Sequence, residues 1–160
     1  MGAEINPFTH DKDRAAIWDM LVPRDIDAFL AGDWDMVDGD FIAKGFFGLH
    51  AHKAHNPDAW TMAFPTLAAY RDEWLRQSRD TAATRYAEPL RPALFRATHL
   101  DVIELAGNRA VAHKKFDGTI ARADGGIDRL DWQTLYFAAK TERGWKLTSF
   151  VGYMPRVMGP

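Results

Sequence analysis

A chain of 160 residues is the size of one domain and can bury roughly 70% of the surface its unfolded form exposes. With 47% hydrophobic residues, six Trp and ten Phe, it has the material for a packed core, which excludes a disordered chain. A formal charge of −2 with mixed signs leaves no basic patch for nucleic acid, and the absence of cysteine removes disulfides, thiolate metal sites and Cys nucleophiles.

The opening MGAEINPFTHDKDR lacks the apolar run of a signal peptide, and no stretch approaches the ~20 apolar residues of a membrane span. A soluble cytoplasmic protein is therefore expected, with no membrane or nucleic-acid partner. It reads as a single domain over 1–160, in which 1–10 form an N-terminal tail.

Residues 11–31 carry helical spacing. Asp11 or Asp13 can cap the first turn by accepting a free backbone N–H. Ile17, Met20 and Leu21 lie on one face, but Pro23 lacks a donor and predicts a kink or restart. Ile26, Phe29 and Leu30 continue the stripe, and Gly32 can end it in the left-handed conformation. A short second helix follows, with Asp33 as cap and Trp34 and Val37 inward. Residues 41–52 read as one or two short strands, and Asn56-Pro57-Asp58 as a loop. Thr66 then caps the longest helix, whose inner face carries Leu67, Tyr70, Trp74, Leu75, Ser78 and Ala82. Four strands are predicted beyond Pro89 and Pro92: 94–106, 109–120, 130–140 and 145–153. Gly107-Asn108 joins the first two, and Glu142-Arg143-Gly144 joins the last two.

Helices followed by a meander of long strands predict an α+β arrangement. AFLAGDWDMV, over 28–37, resembles the helix–Gly-Asp-Trp–helix opening of the nuclear-transport-factor-2-like superfamily, including its SnoaL-like polyketide-cyclase branch. DWQTLYFAAKTERGWKLTSFVGYMP, over 131–155, is similar to that superfamily's closing hairpin. The resemblance implies a cone-shaped curved antiparallel sheet with N-terminal helices closing a cavity, and a homodimer formed through the convex face. It implies no single reaction, since isomerases, dehydratases, epoxide hydrolases, cyclases and binding modules share the fold.

A two-residue loop at Gly107-Asn108 would pair Asp101 with Lys114 and His99 with Phe116. Alternation then puts Phe95, His99, Asp101, Lys114 and Phe116 on the face richer in apolar residues, which is assigned to the cavity. On that wall His99 can serve as acid or base with Asp101 to orient it. Alternatively, Asp101 and Lys114 form a cross-strand ion pair worth ~0.2–1 kcal/mol. A one-residue slip would exchange the faces and bring in His113. In the closing hairpin, a three-residue loop groups Asp131, Gln133, Leu135 and Phe137 with Trp145. A four-residue loop groups Trp132, Thr134 and Tyr136 with it. Tyr136 and Asp131 are thus further candidates. Asp38 and Asp40 stand where the steroid-isomerase branch carries a carboxylate base, although VDGDF does not match that branch well.

FFGLHAHKAHNPDAW, over 46–60, holds three of the six histidines. In an extended strand Phe46, Gly48, His50 and His52 share a face. His50 and His52 could chelate a metal with His55 or Asp58, but a polar strand end or a metal-free pocket role fits the pattern better. Trp18, Trp34, Trp60 and Trp74 are core residues first and could also serve as ligand platforms. The site expected is therefore His99, Asp101 and His50 as catalytic groups, lined by Trp34, Phe46, His52, Trp60, Phe95, Lys114, Phe116 and Tyr136. Neither metal nor cofactor is expected. The activity expected is that of a cofactor-independent lyase, isomerase or cyclase on a small, partly apolar organic molecule, or else a non-catalytic small-molecule binding or dimerisation module.

Overall fold

A computed structural model describes residues 4–156. The first helix, α1 (Lys12–Asp19), starts where Asp11 Oδ1 accepts the Arg14 backbone N–H at 3.0 Å. Pro23 does not break the chain direction. It sits in a widened π-helical turn, Met20–Arg24, which runs directly into α2 (Asp25–Ala31). A wider turn spares the missing N–H by shifting the hydrogen-bond frame. Gly32 closes α2 at φ 66°, and α3 (Asp35–Asp38) follows. The residues before α1 are fastened down: Asn6 Nδ2 donates to the Ala15 carbonyl at 3.1 Å, and Phe8 packs on the core. Asn6 and Phe8 are thus tied to α1 and the core, while Glu4 and Ile5 stay exposed.

Strands β1 (Phe47–His50) and β2 (Thr61–Phe64) pair antiparallel, and β2 was not anticipated from the sequence. Thr66 Oγ1 caps α4 (Leu67–Ala83) by accepting the Ala69 N–H at 3.1 Å. The stretch 94–106 is not one strand. Its first residues end a helix, α5 (Leu90–Ala97), and β3 begins at Thr98 and runs to Ala106. Pro92 stands in the first turn of α5, where no helical acceptor awaits its missing N–H, so it starts a helix instead of preventing one.

The predicted strand 109–120 also divides, into β4 (Arg109–Phe116) and β5 (Gly118–Ala121). Between them the Asp117 N–H bonds the Ala97 carbonyl at 2.8 Å. Strand β5 pairs with β6 (Ile127–Leu130) as a separate hairpin. Gly118 allows the division, because a Cβ there would lie 2.7 Å from that of Ala97. The closing strands are β7 (Trp132–Thr141) and β8 (Gly144–Pro155).

The main sheet has the order β2-β1-β8-β7-β4-β3, antiparallel except for β1 beside β8. The fold is α+β, an open curved sheet with helices against one face. Buried Trp18, Leu21, Val22, Trp34 and Trp74 of the helical layer meet Ile103, Leu147 and Phe150 of the sheet. Among the described residues no helix is long and apolar enough to cross a membrane.

Candidate functional site

The helical layer and the sheet do not close completely on one another. They leave a cavity of about 360 Å³ between α2, α4, the β5–β6 hairpin and the inner face of β4, β7 and β8. That is large enough for a small organic ligand. Three of the sequence-predicted residues line it: Lys114, Phe116 and Tyr136.

Lys114 is the centre of its polar end. The side chain is 1% exposed, and Nζ donates to Asp25 Oδ2 at 3.0 Å and to the Leu21 carbonyl. The widened turn helps here, since Asp25 gives its own N–H to Val22 while the Leu21 carbonyl accepts from Lys114. Asp25 Oδ1 accepts from Trp74 Nε1 at 3.2 Å, so each carboxylate oxygen already has a donor. An ion pair so placed is tolerated because both charges are hydrogen-bonded as well as paired. The ammonium also lies 5.1 Å from the centre of the Phe116 ring.

Four tyrosines line the same space: Tyr70, Tyr86, Tyr136 and Tyr153. Burial pushes Tyr70 well above the usual phenol range, and the neighbouring Tyr136 and Asp25 add to it. Tyr136 is pushed up by burial and then by Asp25. These phenols therefore stay protonated and act as hydrogen-bond donors. Burial likewise raises Tyr153, partly offset by the hydrogen bond it accepts from Gln77 Nε2 at 2.7 Å. Tyr86 rises to about 12 through burial and its 2.8 Å hydrogen bond to Asp128. Trp74, Trp132, Phe29 and Phe150 supply the apolar walls.

The other sequence candidates lie elsewhere. At the turn the register is as expected, with Ala106 opposite Arg109 and Ile103 opposite Ala112. A β-bulge between His99 and Val102 then shifts the pairing by one, so that His99 faces Lys115 and Thr98 faces Phe116. Thr98 and Leu100 are buried, Asp101 is exposed, and His99 is half-buried on the outer side. The bulge thus removes His99 and Asp101 from the cavity wall and gives Lys114 a different carboxylate. His113 is on the outer face with Gln133. Phe95 belongs to α5 and the core rather than to a strand.

Trp34 is a core residue whose Nε1 donates to Asp38 at 2.8 Å. Asp40 is held by Arg24 in a two-point ion pair at 2.7 and 2.8 Å. Both helix-end carboxylates therefore have structural partners. Phe46 packs behind the cavity wall against Phe150, with ring centres 6.1 Å apart, and Trp60 donates to the Ala54 carbonyl. Asp131 pairs with Lys53 outside the cavity.

The histidine stretch forms a stack. His50 lies between His52, at 4.1 Å, and Tyr153, at 4.2 Å between ring centres. Burial, then the His52 charge, lowers the His50 pKa. Its Nδ1 accepts the His52 backbone N–H at 3.0 Å, and His52 Nε2 meets Thr61 Oγ1 at 2.8 Å. His55 and Asp58 are exposed beyond it. Among the described residues no three His, Cys, Asp or Glu side chains converge as metal ligands do.

The closing hairpin groups Trp132, Thr134 and Tyr136 with Trp145, as Lys140 pairs with Trp145 and Thr141 with Gly144. Sequence reasoning passed over Asp25 altogether. A signal existed, since Asp25 sits four residues before Phe29 on the buried stripe of α2, where an ordinary carboxylate would be out of place. Tyr70 and Trp74 were correctly placed on the inner face of α4, Trp74 as a core residue that could also serve as a ligand platform and Tyr70 without a ligand role.

No protein-family model matches the chain, and no curated protein matches it. Solved structures do. A nuclear-transport-factor-2-like protein of Salmonella enterica serovar Typhimurium aligns over 90% of this chain and 92% of its own, with TM-score 0.57 and 17% identity. One from Pseudomonas putida aligns over 88% and 85%, with TM-score 0.55 and 14% identity. One with a cystatin-like fold from Novosphingobium aromaticivorans covers 88% and 80%, at 0.53 and 13%. Identities this low speak for architecture alone: the chain has the nuclear-transport-factor-2-like fold.

Proposed function

We propose that the cavity takes up a small, partly apolar carbonyl compound and moves a proton on it without a cofactor, in the manner of a SnoaL-like lyase, isomerase or cyclase. The observation that carries this reading is the Asp25–Lys114 pair at the edge of an aromatic cavity lined also by the protonated phenols of Tyr70 and Tyr136. An ammonium has three N–H groups, and two of those of Lys114 are taken by Leu21 and Asp25. The third, with the phenol O–H that the Tyr70–Tyr136 hydrogen bond leaves free, can donate to a ligand oxygen. Both Asp25 oxygens already accept, so the ligand atom best served there is an acceptor, such as a carbonyl oxygen gaining negative charge. Asp25 is the proton acceptor within the group, and its partly exposed carboxylate can pass the proton on to water.

A binding module without chemistry is the second reading. It is favoured by the same saturation of Asp25, because a base must give up one of its hydrogen bonds to act. Two measurements on one sample separate the readings. Trp74 and Trp132 line the cavity, so entry of cyclohexanone or acetophenone should quench tryptophan fluorescence saturably. Proton NMR in D₂O then follows loss of the signal next to the carbonyl. Accelerated exchange that disappears in Asp25→Asn supports the enzyme. Saturable quenching with exchange at the solution rate supports the binding module, and absence of quenching overturns both.

A further inference from the structure

Lys114 brings a primary amine to the cavity wall. We propose that its Nζ condenses with the carbonyl carbon of a small aldehyde or ketone in the cavity, forming a covalent iminium. The proposal rests on reading the cavity as a carbonyl site, and it adds a covalent step to that reading.

The argument is one of valence. Lys114 lines the cavity, yet its nitrogen is held on the protein side by the Leu21 carbonyl and Asp25 Oδ2. A neutral amine has two N–H groups, so it can satisfy both acceptors and still have a lone pair at its remaining tetrahedral position. The acceptor needed to free that lone pair is in place, since Asp25 is already hydrogen-bonded to the ammonium at 3.0 Å. Rotation about the Cε–Nζ bond exchanges the three positions, so the lone pair need not remain towards Asp25. Lys114 is almost wholly removed from water and lines an apolar cavity, the placement in which a lysine amine can meet a bound carbonyl. Lys115, the next residue, is exposed on the opposite side of β4 and lacks all of these features.

The step balances without a redox partner. Asp25 takes one proton from the ammonium, and Nζ bonds to the carbonyl carbon as the carbon–oxygen π bond opens. The oxygen, stabilised by a hydrogen bond from Tyr70 or Tyr136, takes a second proton from the now cationic Nζ and becomes the hydroxyl of a neutral carbinolamine. Asp25 returns its proton, the hydroxyl leaves as water, and the nitrogen lone pair closes the carbon–nitrogen double bond. In sum an ammonium and a carbonyl become an iminium and one water, with charge unchanged. Such an iminium withdraws electrons from the neighbouring carbon and makes its proton easier to remove.

The test is reductive trapping on the full chain with salicylaldehyde and sodium cyanoborohydride at neutral pH, followed by mass mapping of the modified lysines. The expected result is an adduct on Lys114 formed about tenfold or more faster than on Lys115, and lost in Lys114→Arg, which keeps a cation for Asp25. Tryptophan quenching by the same aldehyde without reductant reports entry in the wild-type protein, so the outcome does not depend on how the variant folds. Saturable quenching with Lys114 unmodified overturns the covalent step and leaves the carbonyl site standing. Labelling confined to exposed lysines without quenching overturns both.

Discussion

Asp25 and Lys114 stand 89 positions apart in the chain and meet at 3.0 Å, one at the start of α2 and the other on β4, next to the edge strand β3. The lysine is 1% exposed and the aspartate side chain 30%, so water reaches one partner and not the other. Removing the lysine leaves a half-desolvated carboxylate and an unpaired Leu21 carbonyl. Lys114→Met should therefore cost about 2–4 kcal/mol, less than a fully buried pair would. Asp25→Asn should cost about 1–2 kcal/mol, and the double variant less than the sum of the two. Urea denaturation of the four proteins checks this, and additive losses would show that the pair has no coupling.

The bulge in β3 leads to the opposite expectation for His99 and Asp101. Both lie outside the cavity, so His99→Ala and Asp101→Ala should change stability by no more than about 0.5 kcal/mol. Neither should alter ligand quenching of the cavity tryptophans. A large loss of ligand affinity in either variant would mean that the strand pairs without the bulge in solution.

Gly48 is a site of close approach. A Cβ there would lie 2.6 to 2.9 Å from three ring atoms of Phe150. That ring also packs 4.8 Å from Tyr70 and 5.8 Å from Tyr136, so it cannot move without entering the cavity. Gly48→Ala should destabilise by about 1–3 kcal/mol through overpacking. Thermal melts should show the loss, and Phe150→Leu in the same background should recover part of it.

Alkaline pH gives a test of the cavity phenols. The chain has four tyrosines, and all four have raised pKa values, Tyr86 at about 12. The folded protein thus retains phenol protons that the unfolded chain releases near pH ~10. Stability from this source is fully present below that pH and falls as pH rises above it, because the unfolded state then binds fewer protons. Absorbance at the phenolate band should stay flat through the usual midpoint and rise later, together with loss of near-ultraviolet dichroism. An early rise from one tyrosine in a folded sample would place that phenol in water.

Much of the helical layer was legible because its signals are local. Asp11 and Thr66 cap the helices expected of them, Gly32 closes α2, and the face of Tyr70 and Trp74 follows from a 3.6-residue period. The α+β class followed from element order. Helix α5 was not read at all and its last residues were taken for a strand, since Pro92 reads equally as a breaker and as a first-turn residue.

The pairing at Gly107-Asn108 was correct at the turn and failed seven residues before it. A bulge adds one residue to one strand, and its position depends on what the two faces must meet. Here Thr98 and Leu100 go inward and His99 turns out, a choice made by the helices above the sheet and not by the strand's own pattern. Lys114 could be placed on the inner face from alternation alone. That its partner is Asp25 and not Asp101 could not, because ion pairing depends on distance in space, and only packing α2 over β4 brings those two charges together.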